Sequence, residues 1–291
     1  MAHDTAYDAL TEVVDDARWA FGTGFEDPLA GIDTAVPQGV DGADLAAYCL
    51  MLGDDALVLS HRLQEWTTRL PELEEEAAVA NIALDLLGQA RLLLARAGHA
   101  DGSGRDDDDY AFTRGPDGFR NVRLVERADG DFAEMMGRLL IFSTWRLDLL
   151  GQLRESADPV LAAIAAKGVK EVTYHRDWAA QWAVRLGDGT ELSHARMQAA
   201  VDAIWPLVDE LFAVHPIHER LVGVAADPSG TTERVYAVLN EVFLAATLSV
   251  PTAEPVAVSG QSGRDGVHTP ELAELLAELQ SVARAHPDAT W

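Results

Sequence analysis

Asp85-Leu86-Leu87-Gly88-Gln89 and Glu171-Val172-Thr173-Tyr174-His175 are the two stretches that decide the predicted fold. Four-helix bundles that hold two iron ions take one Glu from each of two helices and a Glu-x-x-His pair from each of the other two, because residues three apart share a helix face. The equivalent positions here are Leu86 and Gln89 in the first stretch, and Val172 and His175 in the second. Leu and Val have no lone pair, and a neutral Gln lacks the charge of a carboxylate ligand. The sequence therefore predicts a four-helix bundle whose metal ligands have been replaced.

Helical periodicity runs through most of the chain, and Pro, Gly and capping residues mark where each helix ends. Four long helices are predicted, from about Asp44 to Arg69, from Pro71 to Ala97, from Asp131 to Ser156 and from Asp158 to Gly187. A long connection between the second and third helices lets the chain cross from one helical hairpin to the other, as in ferritin-like bundles. The predicted fold is all-α, a ferritin-like four-helix bundle with extra C-terminal helices.

Three regions are expected along the chain. Residues 1–40 are predicted to be an irregular acidic lead, residues 41–250 the bundle with an additional helix, and residues 251–291 a Pro- and Gly-rich loop with a C-terminal helix. The further helices are predicted from Glu191 to Val214 with a kink at Pro206, from Thr232 to Leu248, and from Thr269 onward. The segment Gly98–Gly118 is predicted to be a solvated loop, because the adjacent carboxylates of Asp106–Asp109 cannot all face one metal ion.

The charge of the chain excludes some partners. Lys and Arg total 22 against 48 Asp and Glu, a formal net charge of -26 that repels nucleic acid phosphates and anionic lipid headgroups. We therefore expect neither nucleic acid nor membrane as a partner. Lys167 and Lys170 are the only lysines. An acidic, lysine-poor surface is typical of salt-adapted proteins, where screening weakens repulsion between like charges; a base composition that favours Arg codons is the alternative.

Cysteine content and the N-terminal residues indicate a cytoplasmic protein. Cys49 is the single cysteine, so the chain cannot form an internal disulfide, which fits a reducing compartment. The first residues lack a basic region followed by an apolar one, and no stretch of about eighteen uncharged apolar residues occurs. The chain is expected to be soluble and cytosolic.

Apolar stripes at spacings of three and four residues identify the inward face of each predicted helix. Gln89 and His175 interrupt these stripes on the second and fourth helices, and on the third helix Arg146 lies on the stripe with Glu134 beside it. A buried amide or imidazole without a partner costs on the order of 1–3 kcal/mol. We therefore expect Gln89 and His175 to contact each other, directly or through one water. The alternatives for His175 are a core histidine bonded to backbone or to a nearby acid, and a surviving metal ligand.

Other patterns that could bind a metal have simpler explanations. His215 and His218 are three residues apart, but Pro216 lies between them and no Cys or acid completes a zinc motif. His61 and Glu65 are one helical turn apart, a spacing typical of surface pairs. The sequence has no Gly-x-Ser-x-Gly elbow, no phosphate-binding Gly-x-x-x-x-Gly-Lys and no Rossmann glycine pattern.

Seven motifs carry a resemblance to a known family that covers roughly residues 43–248. They are Leu52-Gly-Asp-Asp-Ala-Leu57, Glu72-Leu-Glu-Glu-Glu76, Ala80-Asn-Ile-Ala-Leu-Asp-Leu-Leu-Gly-Gln-Ala-Arg91, Asn121-Val-Arg-Leu-Val-Glu126, Gly130-Asp-Phe132, Lys170-Glu-Val-Thr-Tyr-His175 and Trp182-Ala-Val-Arg-Leu-Gly-Asp-Gly-Thr190. These motifs resemble the family of C subunits of the multicomponent phenylacetyl-CoA epoxidase, also called ring 1,2-phenylacetyl-CoA monooxygenase.

The resemblance implies a ferritin-like fold and a non-catalytic, structural role in phenylacetate catabolism. In that family, the C subunit supports the catalytic, metal-bearing A subunit, which inserts one oxygen atom from O2 into the aromatic ring of phenylacetyl-CoA with electrons from a separate reductase. The resemblance therefore implies no catalytic, cofactor-binding or metal-binding residue in this chain, and a di-iron centre in the partner. The A subunit is the implied partner, and the other components of the complex and the reductase are further candidates. The third helix and the surroundings of Trp178, Trp182 and Trp205 are candidate contact regions, with core packing as the alternative.

Two other functions remain open on the sequence. The first is a di-metal oxygenase with relocated ligands, which would be drawn from Asp55, Asp85, Glu134, Glu171 and His175. It needs several inward-facing carboxylates, which the apolar stripes disfavour. The second is a free-standing helical ligand-binding protein, which requires an internal pocket and no obligate partner.

Overall fold

Helices dominate the structure, a computed structural model that describes residues 29, 31–70, 72–251, 261–287 and 289. These ranges contain no β-strand. The helices in chain order are α1 (Gly42–Gln64), α2 (Leu73–Ala100), α3 (Asp107–Phe112), α4 (Phe132–Leu153), α5 (Pro159–Gly187), α6 (Glu191–Ile204), α7 (Pro216–Arg220), α8 (Thr232–Ala245), α9 (Pro270–Leu279) and α10 (Ser281–Ala285). A 3-10 segment, Trp205–Phe212, follows α6 directly.

Side-chain caps explain where most of the long helices begin. Asp41, Asp131 and Asp158 accept first-turn backbone N–H groups at the starts of α1, α4 and α5, and Thr190 does so at α6. These bonds satisfy donors that have no partner within the helix. α2 lacks a side-chain cap, but Glu74–Glu76 lie in its first turn, where carboxylates interact favourably with the helix dipole. The predicted starts of these helices are therefore close to the observed ones.

Two helical hairpins make up the bundle. α1 packs along α2, and α4 packs along α5, and these are the two most extensive helix pairings in the described chain. Gly42 at the start of α1 allows the hairpin to close, because a Cβ at this position would lie 2.2 Å from the carbonyl oxygen of Ala100 at the end of α2. α2 also packs against α5, and the segment between α2 and α4 crosses from one hairpin to the other. The described chain is an all-α, ferritin-like bundle, as predicted.

The bundle has one layer that the rest of the chain covers and one that faces outward. α4 packs against α6 and α8, and α1 packs against α7 and α9, so most residues of α1 and α4 are buried. Among the described elements, α2 packs mainly against α1, α5 and the short helix α3. The outward-facing layer therefore consists of α2 and the neighbouring part of α5.

A buried ion pair attaches the C-terminal segment to α1. Arg264 donates from Nη1 to Oδ1 of Asp55 over 3.0 Å and from Nη2 to Oδ2 over 2.8 Å. The same Nη1 donates to the backbone carbonyl of Met51 at 2.8 Å, and the backbone N–H of Val122 donates to Asp55 Oδ1 at 2.8 Å. A paired guanidinium and carboxylate with these additional bonds form a satisfied buried pair. This pair joins α1, the crossing segment and the residues that precede α9.

Three helices of the four-helix bundle end at residues other than the predicted ones. α1 ends at Gln64 rather than Arg69. After Gln64 the backbone forms turns closed by bonds over three residues, such as that from the Trp66 N–H to the Leu63 carbonyl, before it reaches the proline at position 71. That proline lies outside the described residues. α2 continues to Ala100, beyond the predicted end at Ala97, and α4 ends at Leu153, three residues before the predicted end at Ser156.

The acidic run is also more ordered than predicted. Asp107–Asp109 form the first turn of α3 instead of a loop. Asp106 and Asp109 form a reciprocal capping box, in which each side chain accepts the backbone N–H of the other residue. Among the described residues no group of three or more His, Cys, Asp or Glu is arranged to hold a metal ion, and the absence of a metal site at these carboxylates stays a prediction.

The C-terminal part contains both confirmed and wrong predictions. The predicted kinked helix from Glu191 to Val214 is two elements, because α6 ends at Ile204 and Pro206, which has no N–H to donate, lies at the start of the 3-10 segment. α8 ends at Ala245, three residues before the predicted end. α9 begins at Pro270, directly after Thr269, as predicted. Most of the predicted acidic lead (1–28) and part of the Pro/Gly-rich loop (252–260) lie outside the described residues, so the three-region division stays a prediction.

α2 is the one described helix whose length and composition would suffice to cross a membrane. Its most apolar window of 18 residues has a mean hydropathy of 1.4, and 44% of that window is buried inside the chain. The helix is a member of the bundle and packs against α1 along its length, which accounts for much of its apolar character.

Replacing Arg264 by Ala is expected to lower the free energy of unfolding by about 3–5 kcal/mol, because it leaves the buried Asp55 carboxylate without its counter-ion. Arg234→Ala is the matched control, since Arg234 pairs with Asp148 in a similar two-bond geometry on the surface, and its loss should cost less than about 1 kcal/mol. Urea unfolding followed by circular dichroism measures both. Equal losses in the two variants would contradict the assigned role of Arg264.

Candidate functional site

The four former ligand positions all lie in the interior of the bundle. Leu86 and Gln89 on α2, and Val172 and His175 on α5, are buried. Leu86 and Val172 belong to the apolar core, as the stripes predict. The burial of these four residues agrees with the inward stripes, while their descent from metal ligands stays a prediction, and the two polar residues must find partners inside the protein.

His175 is bonded to an acid rather than to Gln89. Its Nε2 lies 3.0 Å from Oδ2 of Asp85, which is partly exposed. Gln89 makes its hydrogen bonds to other residues. The expected direct contact between Gln89 and His175 is therefore wrong, and the alternative of a core histidine bonded to a nearby acid is the one observed. The antiparallel packing of α2 and α5 explains this, because it places Asp85 level with His175 and Gln89 level with Glu171, one turn further along.

Gln89 bridges a carboxylate and a guanidinium. Its Nε2 donates to Oε2 of Glu171 over 3.0 Å, and its Oε1 accepts a hydrogen bond from Nη2 of Arg146 over 3.2 Å. Glu171 is also paired with Lys167, whose Nζ lies 2.8 Å from Oε1. Gly168 leaves room for this arrangement, since a Cβ there would lie 2.9 Å from a methyl carbon of Leu150 and 3.5 Å from the Gln89 amide carbon. Both the nitrogen and the oxygen of the amide are therefore hydrogen-bonded.

Arg146 carries a positive charge into the space between α1, α2 and α4. Its side chain is fully buried, and Nη1 donates to the backbone carbonyl of Leu52 on α1 over 3.0 Å. Burial lowers the pKa of Arg146 to about 10, and the nearby charge of Asp55 opposes that shift, so the side chain stays protonated at neutral pH. Its Nε has no hydrogen-bond partner in the described part of the chain. The ligand spacing on α2 and α5 does not reveal this guanidinium, because Arg146 lies on α4. The inward stripe predicted for that helix does include Arg146.

A di-iron centre does not fit these residues. Leu86 and Val172 provide no donor atom, and the charge of Arg146 would repel a metal cation at the same place. The candidate relocated ligands do not come together either: Asp55 is paired with Arg264, and Glu134 accepts the backbone N–H of Gly130 over 3.1 Å at the start of α4. Only Asp85 with His175 forms a pair within that set.

The remaining histidine patterns have structural roles. His215 and His218 form a reciprocal capping box at α7, where each ring accepts a backbone N–H. Burial lowers the pKa of His218 to about 4, which keeps this ring neutral. Glu65 is bonded to Arg62 over 2.8 Å rather than to His61. His61 instead lines a surface cavity of about 540 Å³ between α1, α2, α3 and α9, whose other walls include Leu87 and Phe112.

Two of the predicted contact regions are core elements. Trp205 is buried and packs against Tyr236 and Phe243, with ring centroids 5.7 and 6.0 Å apart. α4 is covered by α6 and α8, so the described structure leaves little of it for a partner. Trp178 and Trp182 on α5 are partly exposed. The alternative of core packing therefore holds for Trp205 and α4.

Comparison with known proteins identifies the family of the chain. Residues 33–291 match the family model described as phenylacetic acid catabolic protein. The chain belongs to the phenylacetic acid catabolic protein family. It is 43% identical over 253 residues to the C subunit of the 1,2-phenylacetyl-CoA epoxidase of Escherichia coli (strain K12), a match that covers 85% of this chain and 99% of that protein. The resemblance carried by the motifs is confirmed.

Replacing Gln89 by Leu is expected to lower the free energy of unfolding by about 2–4 kcal/mol, because the buried Arg146 loses its side-chain acceptor and Glu171 loses a donor. Gln181→Leu is the control on the same pair of helices, since Gln181 is exposed on α5, and its effect should stay within about 0.5 kcal/mol. Guanidinium unfolding curves measure the difference. A Gln89→Leu protein as stable as the wild type would mean that Arg146 does not depend on the amide.

Proposed function

We propose that this chain is a non-catalytic, structural subunit of a multicomponent phenylacetyl-CoA epoxidase. The observation that carries the proposal is the buried guanidinium of Arg146 within a bundle whose Leu86 and Val172 offer no donor atom. A bundle of this kind cannot use metal ligands at these positions to activate oxygen. The 43% identity to the C subunit of an epoxidase supports the same role.

In the proposed complex, the chemistry lies in another subunit. A metal-bearing A subunit would hold the di-iron centre and epoxidise the aromatic ring of phenylacetyl-CoA, and a reductase would supply the electrons. This chain would contribute a rigid helical surface against which the metal-bearing component is held. Obligate interfaces of this kind usually bury more than about 2,000 Å². The buried free thiol of Cys49 is compatible with the proposed cytoplasmic location.

The alternative of a free-standing ligand-binding protein rests on the cavity of about 540 Å³ beside His61. The lining includes the apolar Leu57, Leu87 and Phe112 together with the charged Arg91, Asp107 and Asp108. A small apolar molecule of suitable size would fit, but the cavity lies on the outside of the α1/α2 hairpin, away from the former metal site. A ligand that binds the isolated chain there would favour this alternative.

Metal analysis of the purified chain is expected to give far less than one iron per chain, and the purified chain alone should not epoxidise phenylacetyl-CoA with reductase and electron donor present. The complex with the metal-bearing component, prepared from the same cells, is the positive control and should contain iron. Stoichiometric iron and turnover in the isolated chain would overturn the structural role.

The acidic composition leads to a separate expectation. If the charge of -26 reflects salt adaptation, the melting temperature should rise between dilute buffer and about 2 M KCl, because salt screens repulsion among the carboxylates. Differential scanning calorimetry over a series of salt concentrations measures this. A melting temperature that does not change would leave base composition as the explanation of the lysine-poor sequence.

A further inference from the structure

α2 is apolar on the side that the described chain leaves uncovered. Less than half of its apolar 18-residue window, 44%, is buried. Leu84, near the middle of the helix, has a side chain that is 60% exposed, and Ala77 and Ala95 are also exposed on either side of it. An extended apolar surface on a strongly charged protein is typical of an interaction site.

The neighbouring side of α5 continues this surface. Tyr174 is 50% exposed, and Trp178 one turn further along is partly exposed. The bond between Asp85 and His175 fixes the register of the two helices, so Leu84 and Tyr174, their immediate neighbours in sequence, lie at the same level of the bundle. We refer to the outward sides of residues 77–95 and 162–178 as the α2/α5 face.

Charge sets the α2/α5 face apart from the rest of the molecule. Three basic residues of the two stretches, Arg91, Lys167 and Lys170, are balanced by three acidic ones, Asp85, Glu171 and Asp177. Arg176 lies on the other side of α5, where it lines a cavity with residues of α4 and α8. The whole chain has a net charge of -26, so the excess of acid lies entirely outside them. Both lysines of the protein are exposed on this face. Another protein approaching this side therefore meets less repulsion from the carboxylates than it would elsewhere.

The spacing of exposed residues indicates a helical partner. Ala77, Leu84 and Arg91 on α2 are exposed at intervals of seven residues, and so are Lys167 and Tyr174 on α5. Residues seven apart form a stripe along a helix, the pattern through which helices pack side by side. The face is about 28 Å long at 1.5 Å per residue. The face therefore has the length and the residue spacing of one side of an interface between two helical bundles.

We propose that the α2/α5 face is the surface on which the metal-bearing component of the epoxidase docks, with Leu84 and Tyr174 in the contact. This proposal rests on the proposed function and specifies where the partner binds. The opposite layer, α1 and α4, is already covered by helices of the same chain, whereas Leu84 and Tyr174 leave apolar surface exposed in this layer. Docking here would also cover Asp85 and Glu171, which are bonded to the two polar residues of the former metal site.

The test compares two leucines of equal exposure. Leu84→Glu introduces a charge into the proposed contact, and Leu192→Glu introduces the same charge at a leucine of α6 that is 62% exposed. The full chain and both variants are titrated with the purified metal-bearing component in a calorimeter. We expect Leu84→Glu to weaken binding by at least about tenfold, as for a residue central to an interface, and Leu192→Glu to bind like the wild type. Tyr174→Glu should behave like Leu84→Glu.

The possible results separate this proposal from the proposed function. If the wild-type chain fails to bind the metal-bearing component, the proposed function fails, and the docking proposal with it. If the wild type binds and Leu84→Glu and Tyr174→Glu bind equally well, only the α2/α5 face is refuted.

Two further results would assign a different occupant to the face. The first is a fall in the melting temperature of the isolated chain in Leu84→Glu but not in Leu192→Glu. If deletion of residues 1–28 lowers the melting temperature as well, this chain covers its own face, and the proposal is overturned. Self-association of the wild type that Leu84→Glu abolishes, measured by sedimentation in the absence of partner, would assign the face to a second copy and would overturn it as well.

Discussion

The guanidinium of Arg146 is buried where three helices of the bundle meet, and the polar residues around it are arranged to offset the cost of that burial. A buried cation requires acceptors. The carbonyl of Leu52 supplies one and the amide oxygen of Gln89 supplies another. Because the Gln89 oxygen faces Arg146, its amide nitrogen faces the other way, toward Glu171. A single charge therefore orients an amide on α2 and, through that amide, a carboxylate on α5.

The same requirement applies to the other buried charges, which hold distant segments together. Arg264 binds Asp55 and attaches the residues before α9 to α1. Arg114 binds Asp54, the residue of α1 that precedes Asp55. Arg96 on α2 binds Asp158, whose carboxylate caps the start of α5. Arginine is suited to these positions because its planar fork can satisfy two acceptors at once. Both lysines, in contrast, are on the surface. The helices supply the apolar core, and these pairs fix which segments meet.

Much of the bundle could be predicted from local sequence, whereas the partners of its polar residues could not. The helix-start signals at Asp131 and Asp158 and the apolar stripes are local, and they located the long helices and their inward faces. The partner of His175 depends on how α2 and α5 are aligned in three dimensions, and no local pattern distinguishes Asp85 from Gln89 as that partner. The end of α6 near Pro206 and the cap that turns Asp107–Asp109 into α3 were likewise decided by bonds that the periodicity does not reveal.

A ferritin-like bundle without its metal must replace two contributions of the ions, their positive charge and the bonds that join four helices. Carboxylates kept at the ligand positions without metal would repel one another in a medium of low dielectric constant. Leu86 and Val172 remove that repulsion. Arg146 on α4 supplies one fixed positive charge, which donates hydrogen bonds to Leu52 on α1 and to Gln89 on α2. Folding of such a bundle would not require iron. A chain with these properties can present a constant surface to a partner whether or not that partner has acquired its metal, which is what a scaffold for a metalloenzyme requires.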